Sequence, residues 1–358
     1  MTSARIPAQT CHGSSSGAVA VWLFACCALL LAMVVVGGIT RLTHSGLSIT
    51  EWQPIVGTLP PLSAADWNEA FASYRATPEY RLVNEGMSLE AFKSIYWWEY
   101  AHRLLGRAIG VVFAIPLLWF AARRTLPPGI APALVGILLL GALQGALGWY
   151  MVQSGLVDDP RVSQLRLAAH LGLALLIFAA MFWLGLSLWF GRSTGAPRAP
   201  ALARFAWVIA ALVFAQALAG ALVAGLRAGF AYNTFPLMNG HVVPPETWAM
   251  SPWYRNLFAN VAAVQFDHRA LALLLALLIL LFWGRVRAAG ERPRIRLAAH
   301  LLLAALAMQV ALGIATLLLV VPIPLAASHQ AGAVLLFAAA LNAAHALRQS
   351  RPPQRASA

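Results

Sequence analysis

The chain has 358 residues, 60% of them apolar and only 10% charged, and its mean hydropathy is +0.72. Soluble domains carry about 25% charged and roughly 45–50% apolar residues, so a water-soluble fold is excluded and lipid is the expected solvent. The formal charge of +13 and the pI near 10.9 would suit nucleic acid, but the basic residues are scattered between apolar stretches, which points away from nucleic acid and towards loops sorted by charge across a membrane.

The chain opens on a short polar segment, Met1 to Gly17. The apolar run after it resembles a signal-peptide core, but it is too long for one and no small-residue cleavage pattern follows, so it is expected to remain as the first membrane helix. A membrane helix needs about 20 mostly apolar residues. Eight segments qualify: residues 18–39, 97–121, 130–152, 166–190, 204–226, 261–284, 298–321 and 327–347. The tails and the loops after even-numbered spans hold Arg5, Arg123, Arg124, Arg192, Arg198, Arg204, Arg285, Arg287, Arg292, Arg294, Arg296, Arg348, Arg351 and Arg355, whereas the short loop at residues 321–325 holds none. The positive-inside rule then places both termini in the cytoplasm.

Two connections on the outer side are long, residues 40–96 and 227–260. Both are rich in Trp, Tyr, Pro and Gly, and interfacial aromatics of this kind predict caps folded over the outer face. The cysteines are Cys11, Cys26 and Cys27, none of them in an outer loop. No disulfide framework is expected there, and with no CxxC or CxxCH a covalently attached c-type haem is not expected either.

The chain repeats internally. Ser45-Gly46-Leu47 through Pro60-Pro61 resembles Ala228-Gly229-Phe230 through Pro244-Pro245; His102-Arg103 matches His268-Arg269; Gln144 to Gly148 matches Gln309 to Gly313; and His170 matches His329. Landmarks recurring in one order predict an all-α integral membrane protein whose eight spans form two pseudo-symmetric four-helix bundles. The halves are residues 18–190, with the long outer loop 40–96, and residues 204–347, with the outer loop 227–260.

Of nine histidines, His12 lies in the tail, His44 and His241 lie in outer loops, and His300 and His345 lie near cytoplasmic helix ends, where solvated or capping roles are expected. His102, His170, His268 and His329 instead fall early in even-numbered spans, at similar depth near the outer face. Ionisable groups at that depth are costly and usually functional. Two imidazoles per half with no nearby cysteine fit zinc poorly, since zinc takes three or four protein ligands. They suit the axial positions of a haem iron between facing helices. Gly106, Gly110, Gly172 and Gly332 would give the ring room. Arg103 and Arg269 match propionate geometry, or else snorkel at the interface. Haems set side by side at one depth fit local chemistry better than electron transfer across the membrane. Glu99 precedes His102 by three residues and shares its face, whereas the matching position is Gln265. Glu99 is therefore the candidate acid or base, or else an interfacial carboxylate paired with Arg103 or Lys93.

The sequence resembles haem A synthases, bacterial and mitochondrial. The likeness spans residues 30–340. It is carried by Gly37-Gly38-Ile39-Thr40-Arg41-Leu42-Thr43 with Ser45-Gly46-Leu47-Ser48, by Trp52-Gln53-Pro54 and Gly57 to Pro61, by Glu99-Tyr100-Ala101-His102-Arg103 with Gly106-Arg107, and by Asn233-Thr234-Phe235-Pro236-Leu237-Met238 with Gly240. The resemblance implies oxidation of a methyl group of haem O to a formyl group, through a hydroxymethyl and a hydrated aldehyde. It places substrate haem O at His102 and His170 with Arg103, a b-type haem at His268 and His329 with Arg269, and the catalytic role at Glu99. Some bacterial members carry cysteine pairs in outer loops; this chain has none there, so a loop-thiol mechanism is not expected. Expected partners are haem O from a haem O synthase, an external electron acceptor or donor, membrane lipid and, as an open option, a second copy of the chain; nucleic acid is not expected. The expected location is the bacterial inner membrane. The competing readings are a bis-histidine di-haem electron-transfer cytochrome and a haem transporter or chaperone.

Overall fold

A computed structural model describes residues 12–52, 56–157, 160–191 and 199–348. Arg5, Cys11, Gln53, Pro54, Arg192, Arg198, Arg351 and Arg355 lie outside the described residues. Eight helices are long and apolar enough to cross a membrane. They are α1 (His12–Leu42), α4 (Leu89–Ala122), α5 (Ala131–Gln153), α6 (Gln164–Phe190), α7 (Pro200–Gly225), α9 (Val261–Ala288), α10 (Pro293–Leu318) and α11 (Ile323–Arg348). Three short helices, α2 (Ala64–Arg75), α3 (Pro78–Leu82) and α8 (Asn256–Ala259), belong to the long connections. No strand occurs among the described residues. The protein is thus an all-α multi-pass membrane protein.

Burial sorts the spans. α1, α6, α7 and α11 meet at the centre: α1 and α7 each pack on both α6 and α11, and α6 also touches α11. Leu23, Leu175, Ile209 and Ala340 are fully or almost fully buried there. Around them, α4 packs on α1, α5 on α6, α9 on α7 and α10 on α11. Leu118, Leu139, Leu143, Leu273, Leu277 and Leu301 on these outer helices remain exposed. Such a belt has no soluble counterpart and is what lipid covers. Small residues let the central helices approach: a Cβ added at Gly225 would lie 2.8 Å from the backbone Cα of Gln164.

Several helices run past their expected bounds, and two of these differences shape the caps and turns. α4 begins at Leu89 rather than near residue 97, because the Ser88 side chain caps its first turn by accepting from the Ala91 N–H. The turn between α10 and α11 falls at residues 319–322, ahead of the expected 321–325. Pro324 does not block α11, since proline in a first turn removes only an N–H that would lack a helical partner. Val320 and Val321 make this turn with φ of 60° and 59°, held by the Val321 N–H donating to Thr316 O at 2.8 Å.

The long connections form ordered caps. In the first, Tyr74 and Phe92 are fully buried and stack at 5.1 Å, with Trp67, Phe71, Tyr80 and Tyr96 around them. The extra turns of α4 are therefore the wall against which α2 and α3 pack. In the second, Asn260 caps α9 by accepting from Ala262 and Ala263, while its amide donates to Glu246 O at 2.7 Å.

Glu79 is buried in the first cap against the Tyr74 hydroxyl at 3.4 Å, within electrostatic reach of Glu99 and Arg227. Burial first, and the Glu99 charge second, push its carboxyl up to about 7, from an ordinary 4.5. A raised folded-state value means that the fold holds a proton which the unfolded chain releases. Stability is therefore complete below 4.5 and falls as pH rises through 7. Between those limits the cap is expected to lose up to roughly 3 kcal/mol, and Glu79→Gln to lose almost none of it. Thermal unfolding of both proteins in detergent at several pH values checks this; equal pH dependence would show that Glu79 stays ionised in the fold.

Candidate functional site

The site residues gather at the capped end of the bundle. His170, His268 and His329 lie six, seven and six residues from the starts of α6, α9 and α11, as expected. His102 lies 13 residues into α4, about 20 Å from its start, because α4 stands taller than its predicted span.

Each imidazole faces a glycine on the preceding span. A Cβ added at Gly37 would meet His102 Cε1 at 2.8 Å, one at Gly148 His170 Cε1 at 2.9 Å, one at Gly220 His268 Cε1 at 3.2 Å, and one at Gly313 His329 Cε1 at 2.8 Å. These four glycines had no site role in the sequence reading. Their signal was available, since Gly148 and Gly313 close a repeated landmark and Gly37 stands in a quoted motif. The glycines expected to make ring space behave differently. Gly172 abuts Leu218 of α7, Gly332 accommodates the Gln309 side chain, Gly106 faces Met33, and only Gly110 faces open space. Helix packing accounts for Gly172 and Gly332.

The His268 and His329 rings lie with centroids 6.5 Å apart and planes at 82°. Two metal–nitrogen bonds of about 2 Å plus half a ring at each end give roughly 6 Å, so this spacing fits a metal bound between the two imidazoles. His102 and His170 lie within electrostatic reach of each other. Among the described residues no group of three or more His, Cys, Asp or Glu side chains could hold a metal ion, in keeping with two-ligand sites. Arg269 Nε, a buried donor without a protein partner, also fits a bound group with acceptor oxygens, and His102 Nδ1 and His329 Nδ1 are likewise without a protein partner.

Glu99 and Arg103 form a buried pair. Arg103 donates to Glu99 Oε1 through Nε at 3.1 Å and Nη2 at 2.7 Å, and to the carbonyls of Ile49 and Glu51 at 2.7 and 2.8 Å. Glu99 Oε2 accepts from Ser48 Oγ and the Ile49 N–H, both at 2.8 Å. Lys93 pairs instead with Glu90 at 2.7 Å. The second half repeats this layout without the charge: Arg269 donates to Gln265 Oε1 at 3.2 Å and to the carbonyls of Tyr232 and Thr234 at 2.6 and 2.9 Å. Both arginines thus grip cap backbone through their Nη atoms, and Arg269 Nε keeps no protein partner. The remaining histidines sit apart: His44 contacts Arg227 at 3.1 Å, His300 donates to Arg296 O, and His345 bridges Ser187 and Arg294.

Among curated proteins, the chain is 59% identical to a protein named heme A synthase from Nitrosospira multiformis over 92% of this chain and 94% of that one. It is 53% identical to one of the same name from Nitrosomonas eutropha, over 90% and 92%, and 50% identical to one from Rhodospirillum centenum, over 95% and 91%. Residues 20–341 match the family model described as COX15-CtaA, cytochrome oxidase assembly protein. With that match covering nearly all the spans and both histidine pairs, the chain belongs to the COX15-CtaA family of cytochrome oxidase assembly proteins.

Proposed function

We propose that this protein is a haem A synthase that oxidises a methyl group of haem O to a formyl group, acting on a C–H bond. The observation that carries the reading is the carboxylate asymmetry, Glu99–Arg103 against Gln265–Arg269, between two otherwise matching histidine pairs. It stands in a chain whose relatives at 59, 53 and 50% identity are named heme A synthase. On this reading the halves are pseudo-symmetric four-helix bundles, supported by their matching helix pairings and by matching histidine–glycine contacts.

His102 and His170 hold substrate haem O and fix its ring in one orientation. With water as the oxygen source, methyl to hydroxymethyl and hydroxymethyl to hydrated aldehyde each consume one water, break a C–H bond and release two electrons and two protons, and loss of water from the hydrate yields the formyl group. Each oxidation sheds protons, and Glu99 is the carboxylate placed to take or hold one; Arg103, Ser48 and Ile49 donate to its two oxygens and fix its position. His268 and His329 hold a b-type haem, with Arg269 beside it. When bound, that haem supplies a one-electron relay to an external acceptor. Arg269 Nε is the free donor for a propionate there.

Cells lacking the protein are expected to lose haem A and accumulate haem O, measured by chromatography of extracted pigments. Normal haem A would sink this reading and favour a cytochrome or a haem carrier.

The protein is placed in the bacterial inner membrane, with both termini cytoplasmic, both haem sites towards the outer face, and haem O arriving from a haem O synthase. The arginines Arg285, Arg287, Arg292, Arg294 and Arg296 around the α9–α10 turn motivate that orientation. A cysteine introduced at Gly290 is expected to react with a membrane-impermeant maleimide only after cells are broken; labelling in intact cells would invert the topology.

A further inference from the structure

The four histidine–glycine contacts are not equivalent. Four residues before the glycine, on the same helical face, stands Gln144 in α5, Gln216 in α7 and Gln309 in α10. Each of these glutamines donates its amide to the main-chain carbonyl of the facing histidine, Gln144 to His170, Gln216 to His268 and Gln309 to His329, every time at 3.0 Å. Gln144 and Gln216 also lie 3.1–3.3 Å from both ring nitrogens of their histidines. Three ligand-bearing turns are thus tied to the neighbouring helix by a Gln-x-x-x-Gly cradle.

In α1 the position four before Gly37 is Met33. A thioether has no N–H to donate. The methyl group of Met33 lies instead beside Gly106, 3.1 Å from where a Cβ there would be. The His102 carbonyl therefore lacks the amide tie that the other three have, although Thr40 of α1 donates to the Trp98 carbonyl one turn earlier at 3.2 Å, and the His102 Nδ1 is buried without a partner. His329 Nδ1 is also unpartnered, but its turn keeps the Gln309 tie.

A resident haem and a transient one make opposite demands. A cofactor site gains from rigid ligands, whereas a substrate site turns over only if at least one axial bond is easily broken and remade. We propose that Met33 makes His102 the exchangeable ligand of the four, so that substrate haem is taken up and product released by opening at His102, while the glutamine-tied histidines hold on. This rests on the reading that the first half holds the substrate haem. Met33 is a positioning residue: it acts through His102 by withholding a hydrogen bond.

The test uses full-length protein in detergent, loaded with haem O and mixed with excess apomyoglobin as acceptor, with the pigments left on the protein separated by chromatography. Met33→Gln is expected to slow haem O transfer about five- to tenfold, the weight of one net hydrogen bond. The reciprocal Gln216→Met is expected to speed loss of the second-half haem by a similar factor. Should Met33→Gln fail to fold, Gln216→Met decides alone, and unchanged retention of the second-half haem would overturn the proposal. Unchanged transfer from Met33→Gln, with haem O binding abolished in His102→Ala, would also overturn it while leaving the substrate-site assignment standing. Wild-type binding and transfer of haem O in His102→Ala would instead bring down that assignment, and the proposal with it.

Discussion

Replacing His268 or His329 with alanine is expected to strip the second half of its haem and remove nearly all b-type absorbance from the purified protein. Changes to groups that merely orient a metal ligand already cost about 10–100-fold in affinity, and removing the ligand itself costs more. The two rings stand 6.5 Å apart and face each other from α9 and α11, so neither has an evident substitute. The fold should survive, because each alanine sits opposite a glycine and leaves a gap rather than an overlap. Redox difference spectra and extracted pigment, set against protein content, provide the measurement. Full b-haem occupancy in the double variant would remove both residues from the site.

Glu99→Gln is expected to lower haem A formation by about 10²–10⁴-fold at equal haem content, the usual contribution of a general acid or base. Geometry sharpens the expectation. Glutamine keeps an amide oxygen for Arg103, but its NH₂ then points at the Ile49 N–H, which the carboxylate had bonded at 2.8 Å. The first half would come to resemble the second, where Gln265 donates to the Ala228 carbonyl at 2.9 Å. If Glu99 moves protons, haem O stays bound while oxidation stalls, and both appear in the pigment extracted from the purified variant. If Glu99 only clamps Arg103 and the Ser48–Ile49 turn, haem A yield stays near that of the native protein.

The eight spans and the four membrane-depth histidines were legible in the sequence because each is a local property: an apolar run, or an ionisable side chain within one. Cap structure was partly legible, since aromatic richness announced a folded surface but did not reveal that Ser88 starts α4 two turns early. What the sequence hid was pairwise. Gly220 looks like any small residue in a membrane helix until α9 brings His268 against it. Gln216 has no role in the sequence, and Gln309 is only the start of a repeated landmark, until their amides reach the histidine carbonyls. Arg103 was read as a propionate donor, a snorkelling side chain or a partner of Glu99; its further partners, the carbonyls of Ile49 and Glu51, lie about 50 residues away in sequence and could not be read from it.

The arginine grip on cap backbone bears on how far the two caps can differ. Arg103 and Arg269 recognise carbonyl groups, and every residue type supplies a carbonyl. The grip itself therefore makes no demand on the side chains at Ile49, Glu51, Tyr232 and Thr234, whose other contacts, such as Thr234 Oγ1 to the Leu237 carbonyl at 2.7 Å, set their own limits. The caps differ, one built with α2 and α3 and the other around Asn256 and Asn260, yet each is fastened by one arginine. At the fastened positions themselves, tolerance should then be narrower in loop length between each carbonyl and its helix than in side-chain identity.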